Sequence, residues 1–291
     1  MSAQLKFWGV RGSRPVINEK TRRYGGNTSC LQLVIGDLCL IFDGGTGLAE
    51  LGQSTPADYW HRRGGDDGQR THLFFSHQHW DHIQGIPFFA PFYDEKNDFH
   101  LYGATRMGFS FEELISRQMQ PPYFPITMKA MQSQMHYTCL EPDLKLTLPG
   151  GITVRTFALN HPNGCLAYRV DLKDASFVYA TDTEPLFGAH AQRFLKFVSG
   201  ASVLVYDAHF TDEEYYHPKD GISRKGWGHS TWQEGVRISR LAGVGQLVLF
   251  HHLETREDEA MFNLEQAAAR ELPGTIAAKE GLSLELGGSR L

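Results

Sequence analysis

The sequence predicts an α/β fold, a four-layer αββα sandwich in which two β-sheets pack face to face and helices cover their outer surfaces. Two observations carry this prediction. Apolar, β-prone segments recur in both halves of the 291-residue chain, and helical patterns follow them in each half. His and Asp residues also stand directly after several of these segments, which would gather them along one edge of the sheets. The 41% hydrophobic content is enough for one large core, so we expect a single domain over residues 1–291.

The first half reads as strands separated by turn residues. Strands are expected at 5–10, 30–35, 38–42 and 71–75. The glycine-rich loop 43–47 should lead into a short helix, and the stretch 61–69, rich in Gly and Asp, should be a loop. Residues 105–136 differ in character, with a helical pattern at 111–119, a proline-rich stretch at 121–125 and then more helix. We interpret this helical and aromatic segment as an insertion that caps the sheet.

The second half repeats the same alternation of strands and helices. Strands are expected at 152–158, 165–172, 176–180, 202–206 and 246–250. Helices are expected at 231–242 and 257–270, and a last strand at 282–286 should complete this half.

Composition narrows the function classes. The net charge of -5 and the pI near 6.3 argue against a protein whose main task is to bind long nucleic acid, so stable nucleic-acid binding is not expected. Four widely spaced cysteines without a CxxC pair predict neither a disulfide framework nor a thiolate metal site. The chain has neither a run long enough to span a membrane nor a signal-peptide core at its first residues, so we expect a soluble, cytoplasmic protein.

The strongest chemical signal is a run of three imidazoles and one carboxylate that follows the predicted strand 71–75: His77, His79, Asp81 and His82. Because side chains alternate along an extended segment, His77 and His79 can face the same cation. Asp81 and His82 fall in the turn beyond and can reach a second cation. Imidazole suits zinc and related divalent ions, and the carboxylate adds the negative charge that holds two metals close together.

Further ligand-type residues follow later predicted strands in the same way: His161, Asp182, Asp207, His209, His251 and His252. Each of them alone would more often be an ordinary loop residue. Metal centres, however, draw ligands from several strand ends that meet in space, so the set as a whole favours a metal site. His251 and His252 are neighbours and point to opposite sides, so only one of them can easily enter it.

These motifs, in this order, resemble the metallo-β-lactamase superfamily and, within it, the ribonuclease Z-like phosphodiesterases, over nearly the whole chain. The resemblance implies two metal sites that share a bridging aspartate. One site would be held by His77, His79 and His161, the other by Asp81, His82 and His251, with Asp182 as the bridge. It favours His251 over His252 and implies that Asp43 orders the metal loops without binding metal. Two divalent ions are expected, zinc first and manganese as the alternative.

The stretch Gly228-His229-Ser230-Thr231 resembles the ribonuclease Z motif whose histidine assists phosphodiester cleavage. The resemblance implies that His229 is catalytic, oriented by a carboxylate that here is Asp207 in place of the family's glutamate; Asp81 is also counted as catalytic. Ser230 and Thr231 are good N-caps, so the following helix should present free amides to a phosphate near His229, with Ser230 as a substrate contact.

A small substrate is favoured by the acidic balance and by the absence of a basic arm like that of ribonuclease Z. The Gly-Val-Arg-Gly-Ser opening at 9–13 and the insertion are similar to small cyclic-nucleotide phosphodiesterases of the same fold. We therefore expect hydrolysis of a 3′,5′-cyclic nucleotide, or a similar small phosphodiester, to the monophosphate. Tyr123 and Phe124 would form a lid on which a nucleobase stacks, or else only a core or dimer contact. By resemblance, a homodimer is expected.

Three other functions remain open at this point. One is RNA 3′-end endonuclease activity of the ribonuclease Z type. The second is metal-dependent hydrolysis of a lactone, a thioester or a β-lactam, against which the His229 motif speaks. The third is a non-catalytic, metal-stabilised binding module, against which the complete ligand set speaks.

Overall fold

The computed structural model describes residues 3–61 and 71–287 and contains two β-sheets that pack face to face. Each sheet has seven described strands, and helices lie on the outer faces. The predicted αββα sandwich is therefore confirmed. The predicted loop at 61–69 lies, apart from His61, outside the described residues.

The first sheet is mixed and contains the strands of the first half together with the last strand of the described chain. Its members are β1 (Ala3–Gly9), β2 (Cys30–Ile35), β3 (Leu38–Phe42), β4 (Thr71–Phe74), β5 (Asp98–Ala104), β6 (Gln134–Leu140) and β14 (Ser283–Leu286). The spatial order is β14-β1-β2-β3-β4-β5-β6, and β3 to β6 run parallel to one another.

The second sheet contains the remaining described strands. These are β7 (Lys145–Thr147), β8 (Thr153–Leu159), β9 (Cys165–Asp171), β10 (Ser176–Ala180), β11 (Val203–Asp207), β12 (Gln246–Phe250) and β13 (Ile276–Ala277). Their spatial order is β13-β12-β11-β10-β9-β8-β7, so strands that are consecutive in the chain are neighbours in the sheet. Strands β10 to β13 are parallel, and β8 has the same direction because β9 is antiparallel to both β8 and β10.

The described α-helices are α1 (Thr46–Ser54), α2 (Trp80–Ile83), α3 (Phe111–Arg117), α4 (Gly188–Val198), α5 (Asp212–Tyr216), α6 (Trp232–Ala242) and α7 (Asp258–Glu271). Helices α1 and α3 pack on the first sheet, and α4, α6 and α7 pack on the second. In the part of the chain that the structure describes, no helix is long and apolar enough to cross a membrane.

The core between the two sheets is aromatic. Phe42 stacks on Phe74 within the first sheet and contacts Phe177 and Tyr179 of the second at ring-centroid distances of 5.3 and 5.8 Å. Aromatic pairs of this kind contribute stability beyond the apolar area they bury. They fix the two sheets against each other, so the loops at the carboxyl ends of β3, β4, β8, β10, β11 and β12 meet along one edge.

Two predicted elements are placed differently in the structure. The last strand was expected to complete the second half, but β14 pairs antiparallel with β1 of the first sheet. An alternating apolar pattern fixes which face of a strand is buried, whereas it does not identify the partner strand. The helix predicted after residue 125 is wrong: a 3-10 turn, Met128–Ala130, stands there, and residues 134–136 already belong to β6.

Candidate metal centre and its surroundings

The predicted ligands converge at the edge where parallel strands end. His77 follows β4, His161 follows β8, Asp182 follows β10 and His251 follows β12. Helix α2 begins within the first motif and carries Asp81 and His82 back to the same edge. The side chains of six of the seven predicted ligands are buried, and that of His79 is half-buried.

The ligand atoms fall into two groups, each compact enough to surround one cation. The first group is His77, His79 and His161, and the second is Asp81, His82, Asp182 and His251. In the first, His161 Nε2 lies 3.0 Å from His79 Nδ1. In the second, Asp81 Oδ2 lies 3.1 Å from His251 Nε2 and 3.3 Å from His82 Nε2.

Asp182 stands between the two groups and turns one carboxylate oxygen to each. Its Oδ1 lies 3.8 Å from both His77 Nε2 and His161 Nε2. Its Oδ2 lies 3.3 Å from His82 Nε2 and 3.2 Å from His251 Nε2. A carboxylate in this position can bridge two cations, one on each oxygen.

The residues present fit a pair of divalent ions. Among the described residues, the buried Nε2 atoms of His77 and His82 have no hydrogen-bond partner, so both nitrogens are available as ligands. The opposite ring nitrogens are held: His82 Nδ1 donates to Asp43 (2.7 Å), His161 Nδ1 donates to the Gly228 carbonyl (2.8 Å), and His77 Nδ1 lies 3.0 Å from the Ser76 hydroxyl. Metal-binding histidines are usually oriented by such a partner on the second nitrogen.

The electrostatics of the ligand cluster agree with this fit. Burial lowers the pKa of His77 well below its ordinary value, which keeps its imidazole neutral, the form that binds metal. Burial would raise the pKa of Asp182, but the facing His251 and His82 lower it well below its ordinary value. Burial would lower the pKa of His82, but Asp182, Asp81 and Asp43 raise it well above its ordinary value, so this imidazole gives up a proton when it binds metal. Carboxylate together with imidazole is a donor set suited to zinc and similar ions.

Asp43 supports the centre from beneath. Its Oδ1 accepts the Ser76 amide (2.7 Å), and its Oδ2 accepts the Ser76 hydroxyl, His82 Nδ1 and the Tyr179 hydroxyl, each at 2.7 Å. The aspartate thus joins β3 to the β4 loop and to β10 of the other sheet. Its contact with the ligand His82 is to Nδ1 and not to the Nε2 that faces Asp81 and Asp182, in keeping with a role in orienting ligands.

Three residues of the site have left-handed backbone: Asp43 (φ 61°), Asp182 (φ 52°) and His251 (φ 57°). This region is unfavourable for residues other than Gly, although Asp and His adopt it more often than most. Such backbone strain is tolerated where the surroundings hold a side chain in a required position.

His251 and His252 point to opposite sides of the chain. His251 lies in the second ligand group, whereas His252 Nε2 donates to the Ala278 carbonyl at 2.8 Å. Burial and the nearby Arg11 lower the pKa of His252 to about 3. The structure therefore brings His251, and not its neighbour, to the site.

His229 and Asp207 form a hydrogen-bonded pair beside the centre. His229 Nδ1 donates to Asp207 Oδ2 at 3.0 Å, and the same nitrogen lies 3.9 Å from Asp182 Oδ1. Burial would lower the pKa of His229, but Asp207 and Asp182 raise it to about 9. Asp207 is itself held by the amides of His209, Ser230 and Thr183. Aspartate, although shorter than glutamate, reaches the histidine directly.

Two neighbours of the centre were given no role from the sequence. His209 is buried, its ring stacks on His229 at 4.3 Å, and its Nδ1 donates to the His251 carbonyl at 3.0 Å. The backbone amide of Ser13 donates to Asp81 Oδ2 at 2.8 Å. The position of His209 after β11 was visible in the sequence, whereas a contact made by a backbone amide leaves no residue pattern.

The residues predicted to contact the phosphate and the base have other partners in the structure. Ser230 is fully buried, its hydroxyl bonds to Tyr206, and its amide is taken by Asp207, so Ser230 is not free to bind substrate. Thr231 caps α6 as predicted, but the amide of Trp232 donates to the Phe210 carbonyl. The helix start is therefore less open than expected, since the amides of Trp232 and Glu234 already have partners.

The predicted aromatic lid is not assembled around the ligands. Tyr123 is 90% exposed, and Phe124 packs edge-on against Phe88 at 5.9 Å. Neither residue has a ring contact with the histidines of the centre among the described residues.

Comparisons with known proteins agree with the fold. A family profile described as the beta-lactamase superfamily domain matches residues 41–252. A probable metallo-hydrolase, YhfI of Bacillus subtilis, is 27% identical to this chain in sequence over 84% of each chain. Its crystal structure superposes on this one with a TM-score of 0.70, covering 98% of this chain and 99% of that chain at 22% identity. The human short-form tRNase Z superposes with a TM-score of 0.67 at 18% identity, covering 97% of this chain and 98% of its own.

A ribonuclease Z of Gemmatimonas aurantiaca is 34% identical to this chain, over 38% of this chain. The alignment spans about a third (31%) of that relative.

Proposed function

Because this chain belongs to the β-lactamase superfamily and is a metal-dependent hydrolase, we propose that it is a binuclear phosphodiesterase. The observation that carries the proposal is the position of Asp182, which turns one oxygen to each ligand group beside the His229–Asp207 pair. His77, His79 and His161 would hold one ion, and Asp81, His82 and His251 the other. Zinc is the proposed metal, with manganese as the alternative.

Two bound ions would supply a water that is deprotonated at neutral pH and would stabilise charge on the entering and leaving oxygens. The chain's own residues provide orientation and a proton. Asp81 is fixed by the Ser13 amide, and His82 by Asp43. His229 donates a hydrogen bond from Nδ1 to Asp207, so its Nε2 points away from that carboxylate. From there it would hydrogen-bond the phosphoryl oxygen or protonate the leaving alkoxide.

The proposed substrate is a small phosphodiester, most specifically a 3′,5′-cyclic nucleotide hydrolysed to the monophosphate. The net charge of -5 supports a small substrate over structured RNA. The segment 105–136 supports the same choice, because only Arg106, Arg117 and Lys129 in it are basic. A ribonuclease activity is the competing proposal, because several relatives of this chain are named ribonuclease Z.

A hydrolysis panel tests the proposal. The protein, loaded with zinc or manganese, is assayed with bis(p-nitrophenyl) phosphate, cyclic AMP, cyclic GMP, a transfer-RNA precursor and a lactone. We expect cleavage of the aryl diester and of at least one cyclic nucleotide, with activity lost on chelation. Cleavage of the RNA precursor alone would replace the cyclic-nucleotide assignment with the ribonuclease one. A fully metal-loaded protein that cleaves no phosphodiester would overturn the proposed function.

A further inference from the structure

We propose that Glu184 is a positioning residue: it anchors the segment 217–228 so that the Gly228 carbonyl and His229 keep their places beside the metal ligands. The proposal rests on the metal centre proposed above. Glu184 stands two residues after Asp182, and no role follows for it from the sequence motifs.

Glu184 joins three parts of the molecule through its carboxylate. Its Oε1 accepts the backbone amides of Gly226 and Gly228, the latter at 3.1 Å. Its Oε2 accepts the hydroxyl of Tyr215 at 3.1 Å. Its own amide donates to the Asn160 carbonyl at 2.8 Å, next to His161. Through its backbone amide and its carboxylate together, this one residue connects the loops that follow β8 and β10 to the end of the segment 217–228.

The Asp220–Arg224 ion pair holds the middle of the segment together, but no helix or strand of its own holds its end in place. Residues 217–227 form neither helix nor strand and are mostly exposed. The backbone bonds of Gly221 and Trp227 stay inside the segment. Its other contacts with the body of the protein include the exposed Lys219–Glu213 ion pair and ring packing of Trp227 on Phe210. Exposed ion pairs of this kind contribute little to stability.

Gly228 carries the effect of the anchor to the metal ligands. Its carbonyl accepts His161 Nδ1 at 2.8 Å, which fixes the ring so that Nε2 faces Asp182. Its φ of +86° and the position of the ring leave no room for a side chain, since a Cβ would lie 2.0 Å from His161 Nδ1. Glu184 accepts the backbone amide of this same residue. A shift of Gly228 would therefore displace both His161 and the following His229.

Tyr215 fixes the carboxylate in turn. It is buried in α5, whose first turn is closed by a reciprocal pair of hydrogen bonds between Thr211 and Glu214. A carboxylate held by two amides and a buried hydroxyl has few alternative positions. Geometry, more than charge, is therefore what Glu184 contributes.

Four variants separate these contributions. Glu184→Ala removes the anchor, and Glu184→Asp keeps the charge but shortens the reach by one methylene. Glu184→Gln can still accept both glycine amides through its carbonyl and donate to Tyr215 through its amide. Glu213→Ala is the matched control, because this carboxylate contacts the same segment through Lys219 but not its glycine amides. Affinity for each metal equivalent, the absorption spectrum of the cobalt-substituted protein, kcat and KM are measured.

We expect Glu184→Ala and Glu184→Asp to lower the affinity for one of the two metal ions by about 10- to 100-fold, the usual effect of losing a contact that supports a ligand. The absorption spectrum of the cobalt-substituted protein should change as well. Turnover on bis(p-nitrophenyl) phosphate should fall by a similar factor with little change in KM. Glu184→Gln and Glu213→Ala should stay within about threefold of the natural protein.

Equal metal affinities and spectra for Glu184→Ala and Glu213→Ala would overturn the proposal, as would a Gln variant as impaired as the Ala variant. The Gln and Asp variants still decide the question if the Ala variant does not fold. The metal measurements need no substrate. A protein that cleaves no phosphodiester would therefore contradict the proposed function while leaving this test intact.

Discussion

Replacing Asp182 with asparagine is expected to lower turnover by at least about 1,000-fold and to reduce bound metal below two ions per chain. Each carboxylate oxygen of Asp182 faces one ligand group, and an amide nitrogen cannot take the place of the second oxygen. Loss of metal-derived charge stabilisation is worth several kcal/mol, which corresponds to a factor of this size. Metal analysis of the purified variant and its kcat on bis(p-nitrophenyl) phosphate measure both effects.

Asparagine is the informative substitution because it keeps the volume of the side chain and tolerates the left-handed backbone at this position, φ 52°. Asp171→Asn is the control. Asp171 is the last residue of β9 in the second sheet, and it pairs with Arg155 and Arg169 instead of the histidine cluster. An Asp182→Asn protein that retains two metals and normal turnover would show that the carboxylate is not a bridge.

Replacing His229 with alanine is expected to lower turnover by roughly 100-fold or more while two metals remain bound. The imidazole is held by Asp207 through Nδ1 and lies outside the two ligand groups assigned to the ions. Its loss removes the proton donor without removing a ligand. The measurement is kcat on a phosphodiester together with metal content.

His190→Ala is the matched control. His190 lies in α4 on the outer face of the second sheet, and its Nε2 donates to the Ala158 carbonyl of β8. The geometry also offers His229 as a ligand, because it forms groups with His161 and Asp182 and with His209 and His251. Loss of one metal ion from the His229→Ala protein would therefore show that His229 is a metal ligand. Unchanged turnover would show that His229 has no catalytic role.

Strands with strong apolar runs and sharp ends were predicted well from the sequence. Cys30–Ile35, Leu38–Phe42, Ser176–Ala180 and Gln246–Phe250 have the predicted bounds. Ligand-type residues at strand ends could also be identified, because parallel strands bring their carboxyl ends to one edge. The structure brings His77, His161, Asp182 and His251 together at that edge.

Elements without such local signals were missed. The predictions did not include α4, whose N-cap is Phe187 and which has no side-chain cap that would mark its start. Strands β5 and β6 were missed because His100 and His136 interrupt their apolar pattern. These two histidines lie side by side in register with His72 of β4, a pairing that depends on neighbouring strands and not on the local sequence.

Contacts that depend on tertiary geometry were likewise beyond the sequence. The Ser13 amide reaches Asp81 across 68 positions of the chain. The Ser230 hydroxyl, predicted to contact substrate, instead meets the buried hydroxyl of Tyr206. In both cases residue type allowed several partners, and only the packed fold selected one of them.

In the proposed metal centre, two metal ions lie on either side of Asp182. Anomalous diffraction at the zinc edge, from crystals of the natural protein grown with zinc, tests it most directly. Two anomalous peaks are predicted, one among His77, His79 and His161 and one among Asp81, His82 and His251, each within bonding distance of a different Asp182 oxygen. A single peak, or two peaks of which neither contacts Asp182, would contradict the account.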